Sequence, residues 1–149
     1  MPEGVVLAAM GGVFGLIVGS FLNVVIYRLP RMMERQWAME CAEMSGQPIA
    51  EQERFNLLVP RSRCQACGHP VRWHENIPVI SYLFLRGKCS ACGVPISVRY
   101  PLVELATGFL FAWCVWRWDW TWAAAAWCLF SAMLVALTLV DWGTTLLPD

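Results

Sequence analysis

Charge is what this sequence has least of. Only 15% of its 149 residues are Asp, Glu, Lys or Arg, and 58% are hydrophobic. A typical soluble domain is roughly a quarter charged and about half apolar, so an ordinary soluble domain is excluded. No Lys or Arg precedes the first apolar run, where Glu3 stands instead, and no small-residue cleavage pattern follows it, so a cleaved signal peptide is not expected. There is no G-x-G-x-x-G loop and no βαβ pattern, which excludes a Rossmann-type nucleotide site. There is no low-complexity tract, and the only internal repeat is a short cysteine motif. The little charge present is unevenly placed. The formal net charge is +0, yet of the 11 Lys and Arg only Arg117 lies outside the stretch from Arg28 to Arg99. A basic central block is thus flanked by apolar segments.

The first apolar segment, Val5 to Tyr27, has about the length a helix needs to cross a bilayer. Within it Gly15 and Gly19 form a G-x-x-x-G pair, and Gly11, Gly12 and Ser20 add small residues. Such faces allow close helix packing in lipid. Arg28, Arg31 and Arg35 follow directly, which by the positive-inside rule places the central block in the cytosol and the N-terminus outside. Arg31 to Met44 has helical composition and is expected to continue along the membrane surface until turn residues at Ser45 to Pro48 end it, with Glu51 to Pro60 as a linker. Pro101 opens a second apolar segment, Leu102 to Trp118, since proline suits a first helical turn. Trp120 to Val140 is a third, beginning with Trp120 and Trp122 as an interfacial belt would. The short link makes the last two antiparallel and returns Asp141 to the cytosolic side.

The expected fold class is therefore an α-helical integral membrane protein of about three transmembrane helices, with a cytosolic four-cysteine, zinc-ribbon-like insertion after the first helix. Its parts are residues 1–28 (first helix), 29–100 (cytosolic domain) and 101–149 (second and third helices).

Two strings carry the insertion: Cys64-Gln65-Ala66-Cys67-Gly68-His69-Pro70 and Cys89-Ser90-Ala91-Cys92-Gly93-Val94-Pro95. Both read C-x-x-C-G-x-P, at a separation usual for a four-cysteine zinc site. The glycine after each pair tolerates the backbone angles of a tight turn. Four thiolates make a closed tetrahedral site, structural rather than catalytic. Cytosolic thiols stay reduced, which favours metal over disulfides. Two redox dithiols are the alternative, but they call for a thioredoxin-like context that is missing. His69 and His74 are the other potential ligands, read as surface residues. Cys41, Cys114 and Cys128 lack partners at metal spacing, and the latter two read as small hydrophobes.

Several strings together resemble one family. Gly19-Ser20-Phe21-Leu22-Asn23-Val24-Val25-Ile26-Tyr27-Arg28-Leu29-Pro30 is similar to the signature closing the first helix of type IV prepilin peptidases. Met32-Met33-Glu34-Arg35, Phe55-Asn56-Leu57, the four-cysteine module, Glu75-Asn76-Ile77-Pro78 and Arg99-Tyr100-Pro101-Leu102-Val103-Glu104-Leu105 resemble the loop and helix that follow it. Asp141-Trp142-Gly143-Thr144-Thr145-Leu146-Leu147-Pro148-Asp149 resembles the segment around the family's first catalytic aspartate. The resemblance covers nearly the whole chain, in order, and corresponds to the N-terminal portion of such an enzyme.

The resemblance implies a bifunctional enzyme of the bacterial inner membrane. An intramembrane aspartic protease removes the leader of type IV prepilins and type II secretion pseudopilins, and a methyltransferase using S-adenosylmethionine then N-methylates the new terminus. By motif, Asp141 is the first catalytic aspartate and Asp149 a secondary candidate. The second belongs to a G-x-G-D motif that these residues do not contain, so the chain reads as truncated before it and inactive alone as a peptidase. Glu104, Asn23 and Arg99 are polar residues in or beside spans, where such groups are functional candidates by default. Arg99 is a partner for Glu104 or for lipid phosphate, and Asn23 for a neighbouring helix. No S-adenosylmethionine site is legible. The alternative to an enzyme is a membrane-anchored zinc module binding pilin or secretion partners. A nucleic-acid partner is not expected, because topology accounts for the basic block.

Overall fold

A computed structural model of the chain describes residues 2–46 and 54–144. Those residues are mainly helical. α1 spans Pro2–Met44, a 3-10 turn spans Trp73–Asn76, α2 spans Ile80–Phe84, α3 spans Arg99–Trp118 and α4 spans Trp122–Thr144. Asp149, part of the expected turn at Ser45 to Pro48 and the start of the linker lie outside the described residues.

α1 does not stop at the first arginines. It runs unbroken through Pro30 for 43 residues, about 64 Å of helix, roughly twice the thickness of a hydrocarbon core. Its second half is helical as expected and belongs to the same element. Proline there removes one N–H and crowds the carbonyl four residues back, yet the helix continues on both sides.

The core is the seam between α1 and α3, which run antiparallel. Gly11, Gly15 and Gly19 recur every four residues and so share one face of α1. A Cβ on Gly15 would lie 2.7 Å from Phe111 Cβ and 2.8 Å from Gly108 Cα. On Gly19 it would lie 2.7 Å from Glu104 Cα. α3 answers with Gly108, where a Cβ would meet Leu16 Cδ2 at 2.9 Å. Leu22, Ile26, Val103 and Phe111 complete the core with Ala132 from α4, and Val18, Val135 and Leu139 pack around it. The opposite faces expose Phe14, Ile17, Phe21, Phe109, Trp113, Leu129 and Phe130. Bare apolar faces of this extent suit lipid rather than water.

Two helices among the described residues, α1 and α4, are long and apolar enough to cross a membrane. α3, expected as a further span, is long enough at 20 residues. Its apolar run is interrupted by Glu104 and Thr107, both buried, and bounded by Arg99 and Arg117. Glu104 and Thr107 face protein, while Arg99 and Arg117 at its ends are exposed.

This seam yields a paired expectation. Gly15→Ala should lower stability in detergent by about 1–3 kcal/mol, because backbone atoms of α3 have no room to retreat. Gly12→Ala should be near neutral, since its added Cβ meets Ala112 Cβ at 3.4 Å. Thermal unfolding of the two variants checks it; equal midpoints would contradict the close-packed seam.

Candidate functional site

The two C-x-x-C strings fold as copies of one turn. In the first, the Cys64 N–H donates to His69 O at 2.8 Å and the Gly68 N–H to Cys64 O at 2.9 Å. In the second, the Cys89 N–H donates to Val94 O at 2.9 Å and the Gly93 N–H to Cys89 O at 3.0 Å. Gly68 and Gly93 take φ of 73° and 72°, the left-handed region that a side chain resists. Each turn is closed by one isolated bridge, Arg63 to Pro70 and Lys88 to Pro95. Among the described residues these bridges stand in place of any true β-ribbon, so the module is a pair of knuckles.

The knuckles bring all four expected sulfurs together. One ligand atom each from Cys64, Cys67, Cys89 and Cys92 lies within 4.8 Å of the others, and Cys64 Sγ is 3.8 Å from Cys92 Sγ. Tetrahedral coordination with metal–sulfur bonds of about 2.3 Å gives sulfur–sulfur edges of about 3.8 Å. The donor set therefore fits a metal ion of zinc type. Its electrostatics agree. The N–H groups of Cys67 and Ala66 hold the Cys64 thiol down at about 6. Those of Cys92 and Ala91 lower Cys89. At Cys92 the Val94 N–H favours the thiolate, but desolvation and the thiols of Cys67, Cys89 and Cys64 outweigh it and push the group up to about 12. Adjacent thiolates repel, and a central cation removes that repulsion.

Glu75 ties the knuckles to each other. Its Oε2 accepts the Arg72 N–H at 2.8 Å and its Oε1 accepts the Ser90 hydroxyl at 2.5 Å. The Arg72 N–H, the Ser90 hydroxyl and the nearby histidines hold its carboxyl below the usual range. His69 Nε2 lies 3.6 Å from the same carboxylate and is not among the metal-competent atoms. His74 likewise stands apart from them. The remaining cysteines are free, with Cys41 exposed, Cys114 buried and Cys128 half-buried.

The other candidates gather where the knuckles join the helices. Asn23 Nδ2 donates to Tyr100 O at 3.0 Å, linking α1 to the start of α3. Arg99 is exposed and does not pair with Glu104: its guanidinium donates to Leu139 O on α4 at 3.0 Å, and it lies 3.8 Å from where a Cβ on Gly143 would stand. A cation against the last carbonyls of a helix offsets its dipole. The bond also fixes the last turns of α4, and with them half-buried Asp141, at the knuckle end of the helices. Glu104 is buried and accepts the Val79 N–H at 2.7 Å. Arg28 is buried too, donating to Asn56 O at 2.9 Å and Pro60 O at 2.5 Å. Phe55 lies under Arg28 and Arg35. The sequence offered one hint of Glu75: it is the sole acidic residue between Arg54 and Arg99.

Residues 13–118 match the sequence model of a family described as "Bacterial Peptidase A24 N-terminal domain". Three proteins described as "Prepilin leader peptidase/N-methyltransferase" are close in sequence. The one from Neisseria gonorrhoeae is 49% identical over 150 residues, covering 99% of this chain and 51% of its own length. That from Pseudomonas aeruginosa is 51% identical over 136 residues, covering 91% and 47%. That from Burkholderia pseudomallei (strain 1026b) is 49% identical over 152 residues, covering 100% and 49%. The chain spans about half the length of the curated relatives it matches. No solved structure matches it.

Proposed function

The chain belongs to the bacterial peptidase A24 N-terminal domain family, and on that premise we propose that it is the N-terminal portion of an inner-membrane prepilin leader peptidase and N-methyltransferase. The reaction is cleavage of the leader from type IV prepilins and type II secretion pseudopilins, then methylation of the exposed terminus. The observation that carries this reading is 49% identity to the Neisseria gonorrhoeae protein across 99% of the chain.

On this reading the peptidase is of aspartic type. Asp141 supplies one carboxylate, and a G-x-G-D segment outside these 149 residues supplies the other. Two carboxylates sharing a site cannot both ionise easily, so they hold one proton between them. The ionised one activates water and the protonated one donates to the scissile amide. Asp149 stands near in sequence as an accessory carboxylate. Cys64, Cys67, Cys89 and Cys92 hold zinc, which closes the knuckles structurally and leaves no position open for substrate. For S-adenosylmethionine no glycine-rich nucleotide loop stands ready, so no residue is assigned to it.

The proposed topology has α1, α3 and α4 spanning, the N-terminus outside and residues Arg28 to Tyr100 in the cytosol. Arg28, Arg31 and Arg35 beside the end of the first apolar run support it. A reporter placed at Gly46 should score cytosolic; a periplasmic score would overturn the orientation. The function is tested by prepilin processing. The chain joined to a G-x-G-D segment should restore leader removal in a strain lacking the activity, and the 149-residue chain alone should not. An extended form that binds prepilin without cutting it would favour a non-catalytic anchoring module.

A further inference from the structure

Between the knuckles the chain makes a short excursion toward the helices. It turns at Val79, with φ of 59°, and forms α2. The Val79 N–H ends on Glu104 Oε2 at 2.7 Å. Gly19 packs directly on Glu104 Cα. Gly19 precedes Arg28 by about 13 Å of helix, and Glu104 follows Arg99 by about 7 Å. If Arg28 and Arg99 stand at headgroup level, Val79 is held several ångströms below it, even allowing for the lean of Glu104 toward its helix N-terminus.

The composition of the excursion suits that depth. Ile80, Leu83 and Phe84 are 52%, 68% and 85% exposed. Much of its backbone is bonded within the segment. Pro78 has no N–H. The N–H groups of Ile80, Ser81, Leu83 and Leu85 bond carbonyls within the segment, and the Ser81 hydroxyl bonds Ile77 O. The Val79 N–H turns outward, and Glu104 meets it. Lipid tolerates backbone only when its polar groups are satisfied internally. Arg86 and Lys88 follow at once, placed to reach phosphates as the chain climbs out.

We propose that residues 77–85 form a re-entrant element whose partner is the phospholipid bilayer, with Ile80, Leu83 and Phe84 among the upper acyl chains and Glu104 as the positioning residue whose carboxylate makes the dip possible. The element then anchors the cysteine module to the membrane surface. This rests on the membrane reading above, and the test separates the two.

The chain is placed in nanodiscs of phosphatidylethanolamine and phosphatidylglycerol containing a phospholipid with a diazirine near the carbonyl end of its acyl chain. Labelled residues are mapped by mass spectrometry. Phe109 on α3 and Leu129 on α4 report the spans. Met44, 90% exposed at the far end of α1, reports aqueous background. Phe84 should be labelled roughly tenfold or more above Met44, as burial in the acyl boundary demands. Labelled Phe109 and Leu129 with Phe84 no higher than Met44 overturns the dip and leaves the spans standing. Unlabelled Phe109 and Leu129 overturns both. Glu104→Ala should lose most Phe84 labelling while keeping that of Leu129, and Glu104→Gln, which retains an acceptor oxygen, should preserve it. Wild-type labelling in Glu104→Ala overturns the role of the carboxylate.

Discussion

Serine in place of Cys67 is expected to cost the protein its stoichiometric zinc and to open residues 61–98 to protease. The module has almost nothing else to hold it. From Arg61 to Val98 only Gly87 is buried, and no apolar side chain is fully shielded from solvent. Most of its hydrogen bonds are local to each knuckle; the longer ones are the strut from Glu75 to Ser90, the Tyr82 hydroxyl to Ile96 O and the Val79 N–H to Glu104. In such small modules the binding free energy of zinc, about 10–16 kcal/mol near neutral pH, is in effect the folding free energy. A hydroxyl is a poor substitute for a thiolate, so three sulfurs remain and the closed tetrahedron fails. The helices should survive, because their seam is built on Gly11, Gly15, Gly19 and Gly108, away from the knuckles. Zinc content by elemental analysis, cleavage sites by mass spectrometry and helical circular dichroism separate these outcomes. The same logic fixes a pH sense. Metal competes with protons for sulfur. With Cys64 at about 6 and Cys92 pushed up to about 12 in the absence of a cation, zinc retention should weaken as pH falls toward 6 and below, not as it rises. A Cys67→Ser protein that keeps one zinc and resists protease would remove the four-thiolate account. So would two disulfides in protein kept under reducing conditions.

What the sequence made legible was set by the range of each signal. The knuckles were readable because ligand spacing and the following glycine are local. The G-x-x-x-G pair announced a close helix contact, and Asn23 announced a polar bond to a neighbouring helix; the structure supplies α3 and Tyr100 as the partners. The misses are long-range. Glu104 reads only as a polar candidate within a span, and its partner, the Val79 N–H, lies 25 positions away. Arg99 reads as a partner for Glu104 or lipid phosphate; it does not pair with Glu104, and one of its N–H groups reaches Leu139 O, 40 positions away. Nothing local in either string encodes those meetings; they follow from how α1 and α3 register on their glycine faces and α4 packs beside them. The continuation of α1 past Pro30 escapes for another reason. Hydropathy marks where an apolar run ends, not where a helix ends, and the polar half of α1 has ordinary helical composition.

Asparagine in place of Asp141, in a form of the protein that includes the G-x-G-D segment, is expected to reduce leader cleavage by on the order of a thousandfold or more, as happens when one member of a group acting as a unit is removed. Asparagine keeps the size of aspartate but neither carries the negative charge nor exchanges the proton that the pair must share. The loss should appear in turnover, with zinc content and protease resistance unchanged, because Asp141 stands at the end of α4 and takes no part in the cysteine cluster. That separation guards against mistaking misfolding for lost chemistry. Arg99→Lys is a graded companion. Lysine keeps the charge but loses the planar fork that reaches Leu139 O, so cleavage should fall far less than in Asp141→Asn if Arg99 only steadies the end of α4. Asp149→Asn should also cost less than Asp141→Asn, since an accessory carboxylate tunes the site without exchanging the shared proton. A dead Asp149→Asn beside a near-normal Asp141→Asn would move the catalytic carboxylate to Asp149. Cleavage by the 149-residue chain itself would remove the need for a carboxylate from elsewhere, and with it the two-aspartate mechanism for this protein.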